Sequence, residues 1–156
     1  MGRRGNFTPH ADRAPLAVPF LLVWCRWRGV TLLRRDGPAV LLIHGFGSSL
    51  HTWEAWASLL ENRFRMVALD LPGFGLTGPD PNGDYSDERS VAVLVALLDR
   101  LGISQAAVVG SSMGGRIAWR FAAAEPARVS KLVLMAPDGL APIKPDTRLG
   151  WVTCLL

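Results

Sequence analysis

The 156-residue chain is poor in the side chains that build disulfide and metal sites, with two cysteines, three histidines and one tyrosine. Cys25 and Cys154 stand near opposite ends with no ligand-type spacing, so they read as reduced and independent, and no metal is expected. Nowhere do about 18 apolar residues run together, so no stable membrane span is expected. There is no internal repeat and no low-complexity tract, which sets repeat arrays and fibrous chains aside. No histidine follows residue 51.

What is present describes a core-forming chain. Hydrophobic residues make up 49% and charged residues 19%, enough for one domain with a buried core and too apolar for a disordered chain. The net charge of +4 hints at an anionic partner until it is divided along the chain. Residues 1–35 hold seven basic groups (Arg3, Arg4, Arg13, Arg26, Arg28, Arg34, Arg35) against Asp12, whereas the other 121 residues carry 10 basic and 12 acidic groups. The basicity belongs to the N-terminal segment, so the body is not a nucleic-acid binder. Pro15–Cys25 has the apolar look of a signal segment. It contains two prolines, is followed by Arg26 and Arg28, and lacks a small-residue cleavage site. Residues 1–28 are therefore expected to form a poorly ordered basic extension on a cytoplasmic protein, with export or membrane association through that segment as the alternative.

From Pro38 the pattern becomes regular. Ala39-Val-Leu-Leu-Ile43 is an unbroken apolar run of the kind buried on both faces of a parallel sheet. Ser48 or Ser49 is placed to cap a helix carrying Trp53, Trp56 and Leu60 on one face. Met66–Leu69 predicts a second strand, followed by a loop rich in glycine, proline and aspartate. Ser86 then caps a helix with Val91, Leu94, Val95, Leu98 and Leu101 at helical spacing, stopped by Gly102. Ala106–Val109 and Leu132–Met135 predict two more strands around a helix over Met113–Ala124, and Gly29–Arg34 an added edge strand. Strands alternating with helices predict an α/β fold with a doubly wound, mostly parallel sheet.

Gly110-Ser111-Ser112-Met113-Gly114 fits G-x-S-x-G between a buried strand and a helix, where a serine is lifted above the sheet in a tight turn. Gly110 and Gly114 clear that turn of side chains. His44-Gly45-Phe46-Gly47 leaves a neighbouring strand on the same carboxyl edge, where doubly wound sheets place their sites. The N–H groups of Phe46 and Met113 form a natural pair of oxyanion donors. The Phe46 ring itself is expected to be a buried aromatic covering the turn, and Trp53, Trp56 and Trp119 to be core residues. His44 and Asp70 are expected to be hydrogen-bonded structural residues.

Three segments then resemble the α/β-hydrolase superfamily, in its serine esterase, carbon–carbon hydrolase and haloperoxidase-like group. They are Val40-Leu-Leu-Ile-His-Gly-Phe-Gly-Ser-Ser49, Ala68-Leu-Asp-Leu-Pro-Gly-Phe-Gly75 and Val109-Gly-Ser-Ser-Met-Gly-Gly115. The resemblance covers 29–139 and implies Ser112 as nucleophile, Phe46 and Met113 as the oxyanion hole, a small-molecule acyl substrate, and no cofactor. Related epoxide hydrolases and dehalogenases place aspartate at the elbow, so Ser112 points to acyl transfer through a covalent intermediate.

The family order is serine, then acid, then histidine. No histidine follows Ser112, so no general base is identified, and Asp138 stands where some relatives place the acid, although a structural turn at Pro137-Asp138-Gly139 is the favoured reading. The expectation is an N-terminal part of the family domain, truncated after its sixth strand, with 140–156 as an irregular tail. It is either a fragment of a serine hydrolase or a non-catalytic domain that binds ligands or partners. An open final strand implies self-association.

Overall fold

A computed structural model describes residues 29–33 and 36–139. The expected N-terminal extension and C-terminal tail, with Cys25, Cys154 and His10, lie outside the described residues.

The apolar run Ala39–Ile43 forms strand β2, and every residue after Ala39 is buried. Arg65–Leu69 (β3) and Ala106–Ser111 (β4) flank it in parallel, pairing Val40 with Met66 and Leu42 with Val109. Val129–Met135 (β5) lies parallel outside β4, and Val30–Leu33 (β1) runs antiparallel outside β3. The order β1-β3-β2-β4-β5 puts the most apolar strand at the centre, where neither backbone edge meets water. Five strands are present among the described residues.

Alternating residues of the central strands feed two cores. Leu41, Ile43, Val67, Leu69 and Val108 pack under helix α2 (Asp87–Arg100) and helix α3 (Met113–Ala124), meeting Leu94, Leu98, Ile117 and Phe121. Burial of such a side chain contributes roughly 1.5–3 kcal/mol. On the opposite face Val40, Leu42, Met66, Ala68 and Val109 pack against Leu50 and Trp53. Asp87 spans the two helices of the first face, pairing with Arg120 at 2.9 Å and Arg116 at 3.5 Å.

Helix α2 begins as its sequence signals indicate, with the Ser86 hydroxyl accepting the Arg89 N–H at 3.1 Å. The segment after β2 differs from expectation. It opens with a 3-10 turn over Leu50–Trp53 before a short helix α1 (Glu54–Leu60), and the Ser49 side chain makes no capping bond. Ser48 spends its hydroxyl on Thr52 instead. The Leu50 N–H goes to Asp70 Oδ1 at 2.7 Å, so a carboxylate from the end of β3 replaces the local serine.

Of the three tryptophans assigned to the core, Trp53 is buried, Trp119 is half-buried with its ring beside Arg120, and Trp56 is exposed against the edge of Trp53. Helix α1 buries none of its residues, so a tryptophan at helical spacing on it does not reach the core.

Candidate active site

Ser112 sits between the end of β4 and the first residue of α3, and is exposed. Its backbone adopts φ 51° and ψ −118°, one of two non-glycine residues with positive φ among the described residues. A residue held in this region is strained and persists only where its surroundings impose it. The imposition is steric: a Cβ at Gly110 would run into the Gly114 carbonyl, and one at Gly114 into the carbonyls of Ile43 and His44. The turn therefore closes only with glycine at both positions. The Ser112 hydroxyl makes no capping bond to the helix behind it.

Because β2 adjoins β4, the turn leaving β2 meets the serine directly. A Cβ on Gly45 would stand 3.3 Å from Ser112 Cβ, so the backbone ahead of Phe46 passes against the nucleophile candidate. Met113 opens α3, where the first N–H groups lack intrahelical acceptors. The sheet thus brings Ser112, Met113, Gly45 and Phe46 to one edge.

The Phe46 side chain departs from expectation. It is 80% exposed, not buried over the turn, and touches the edge of Phe74 at 5.7 Å between centroids. The reason lies beneath it: Phe74 already covers the turn, standing edge-on to His44 at 5.3 Å.

His44 is fully buried and both ring nitrogens are engaged. Nδ1 donates to the Gly45 carbonyl at 2.8 Å, and Nε2 accepts the Leu71 N–H at 3.1 Å, which fixes the tautomer. Asp70 is equally committed: besides Leu50, its carboxylate accepts the Leu76 N–H at 2.9 Å, and its carbonyl accepts the Thr77 hydroxyl at 2.6 Å. Both residues bind loop to loop. His51 lies exposed with Nδ1 2.5 Å from Glu54 Oε1.

Asp138 lies beside the elbow, but its carboxylate is 58% exposed and 3.9 Å from Arg116 Nε. Its main-chain N–H, by contrast, donates to the Ser112 carbonyl at 3.0 Å. That contact escapes side-chain motifs, since any residue but proline supplies it.

A cleft of about 380 Å³ opens beside the elbow, with Phe46, Phe74, Tyr85, Met113, Arg116 and Ile117 among its lining. Tyr85 and Arg116 were not singled out by sequence, because the loop and helix that carry them meet only in the fold. No group of three or more His, Cys, Asp or Glu suited to a metal occurs among the described residues. None of their helices is long and apolar enough to cross a membrane.

Fold and motifs agree, and the chain belongs to the alpha/beta hydrolase fold family, whose model matches residues 38–153. It is 36% identical over 138 residues to an uncharacterized protein of Mycobacterium tuberculosis, covering 88% of this chain and 40% of that protein. It is 36% identical over 119 residues to 2-hydroxymuconate semialdehyde hydrolase of Pseudomonas putida, covering 74% of this chain and 42% of the relative. Among solved structures, a meta-cleavage product hydrolase of Pseudomonas fluorescens superposes with a TM-score of 0.66 at 32% identity, covering 69% of this chain and 40% of that one. The chain thus spans about two fifths of the length of the relatives it matches.

Proposed function

We propose that this chain carries the nucleophile half of a serine hydrolase that cleaves an ester or related acyl bond of a small molecule. The observation that carries the reading is the strained Ser112 backbone at the sheet's carboxyl edge, with the turn to Phe46 packed against it. In the reaction, Ser112 Oγ attacks the acyl carbonyl while a base takes its proton. The oxyanion is received by the N–H groups of Phe46 and Met113, where one such donor is worth about 3 kcal/mol. The leaving group departs with a proton, and water then releases the acyl group from the serine. The cleft beside Phe46 and Met113 offers room for a small acyl or leaving group.

The base is the missing part. His44 has both nitrogens engaged, His51 is paired with Glu54, and no histidine follows Ser112. We place the base on chain not contained in these 156 residues, in keeping with their share of the relatives' length. The same observation favours a second reading, in which this polypeptide is a non-catalytic domain that binds ligands or partners.

The two readings are separated by labelling with a fluorophosphonate probe, with imidazole added to supply a base. The serine-hydrolase reading predicts slow labelling that imidazole accelerates at least tenfold, mapped to Ser112 by mass spectrometry and lost in Ser112→Ala. Equal labelling of the wild type and Ser112→Ala overturns it. Fast stoichiometric labelling without imidazole overturns the claim that the base is absent.

A further inference from the structure

We propose that the turn Ala136–Gly139, which follows β5, is a positioning device for Ser112, and that Asp138 acts in it through its main-chain N–H. The proposal rests on the serine-hydrolase reading of Ser112 and names what holds that serine in place.

The two non-glycine residues with positive φ among the described residues are Ser112, at 51°, and Ala136, at 42°. Each directly follows a member of the last pair of the β4–β5 ladder, Ser111 with Met135. The Ser112 N–H donates to the Met135 carbonyl at 2.9 Å, immediately before Ala136. The chain then turns at Ala136 and comes back, and the Asp138 N–H donates to the Ser112 carbonyl at 3.0 Å. That carbonyl also accepts the Arg116 N–H at 3.1 Å, from the first turn of α3. Both main-chain polar groups of the serine are therefore held by the neighbouring strand and its turn. The helix alone would hold only one of them.

Side-chain packing seats the turn. A Cβ on Gly115 would stand 2.9 Å from Pro137 Cβ, so glycine at 115 is what allows the proline to lie against α3. Gly139, at φ 76°, lies against Arg116, where a Cβ would stand 3.0 Å from Cγ. The Asp138 carboxylate contributes only its long, exposed pairing with Arg116. A strained backbone persists where neighbours over-determine it, and these contacts supply that over-determination from outside the G-x-S-x-G turn. Releasing them lets φ of residue 112 relax and swings the hydroxyl away from the Phe46 and Met113 amides, where small misplacements cost large factors in rate.

The test compares Asp138→Pro, which deletes the donor, with Asp138→Asn, which keeps it and removes the charge. Amide hydrogen exchange is measured in the 156-residue chain, together with imidazole-assisted fluorophosphonate labelling of Ser112. In Asp138→Pro, exchange at Ser112 and Arg116 should accelerate about tenfold or more while Leu41 and Val108 stay protected, and labelling should run at least tenfold slower than in Asp138→Asn. Wild-type exchange at Ser112 and Arg116 in Asp138→Pro, or equal acceleration in Asp138→Asn, overturns the proposal. Should Asp138→Pro fail to fold, Pro137→Gly keeps every donor but frees the turn. Faster exchange at Ser112 there supports the proposal, and unchanged exchange overturns it. If wild-type Ser112 takes no label even with imidazole, the hydrolase reading fails while exchange still decides whether the turn holds the serine.

Discussion

Asp70 shows how the loops around the candidate site are held together by one buried side chain. Its carboxylate joins the turn after β2, through Leu50, to the loop after β3, through Leu76. Removing it leaves two amide donors without an acceptor, at about 1–3 kcal/mol each. Asp70→Ala should therefore lose about 2–6 kcal/mol of stability, read from the urea midpoint of circular dichroism. A loss below about 1 kcal/mol would show that water replaces the carboxylate. The polar roles of His44 and Asp70 were legible in their motifs, because a histidine or aspartate at a strand end has nearby loop amides to bind. The exposure of Phe46 was not, since it depends on Phe74 arriving from the loop after β3 to occupy the same cover. Nor was the contact of the Asp138 N–H with Ser112, because a main-chain donor leaves no trace in residue type.

Among the elements, legibility followed burial. Strand β2 and helix α3 have the bounds their sequences predict, because one is apolar throughout and the other is set off by the elbow glycines and by Glu125-Pro126. Strand β5 begins at Val129, three residues before the apolar run suggests, since Ser130 and Lys131 face solvent and carry no hydrophobic signal. The opening of α1 was misread because its cap comes from β3. The loop before α2 is knitted by Asp80, which accepts the N–H groups of Asn82 at 2.9 Å and Asp84 at 3.4 Å, and Arg89 Nε at 2.8 Å. The Asn82 main-chain bond, with help from Arg89, holds the Asp80 carboxyl below its ordinary value of 3.8. The anion is thus the form the fold prefers. Its stabilisation is complete above the ordinary value and fades as the pH falls through the lower folded one. Asp80→Asn should melt below the wild type by a constant margin from about pH 7 to about pH 4, and the margin should close on further acidification. A margin independent of pH would show that the charge is immaterial and only the hydrogen-bond geometry counts.

For the molecule as a whole, the described sheet ends on one side at the short antiparallel β1 and on the other at the longer β5. Among the described residues β5 pairs only with β4, and its apolar residues Leu132, Val133 and Leu134 are only half-buried beside exposed Met135. An edge of this kind recruits further strands. The isolated 156-residue chain should therefore self-associate with concentration, giving sedimentation coefficients that rise across the micromolar range. A single monomeric boundary up to about 100 µM would count against an accessible β5 edge. The placement of β2 at the centre also has a temporal side. A ribosome delivers β2 early, and β3 covers one of its edges soon after, but β4, which covers the other, is completed only 68 residues later. At roughly 5–20 residues per second, the chain's most apolar strand waits about 3–14 s with one hydrogen-bonding edge bare. Nascent chains of this protein are thus most in need of a chaperone before the segment that bears Ser112 has been made.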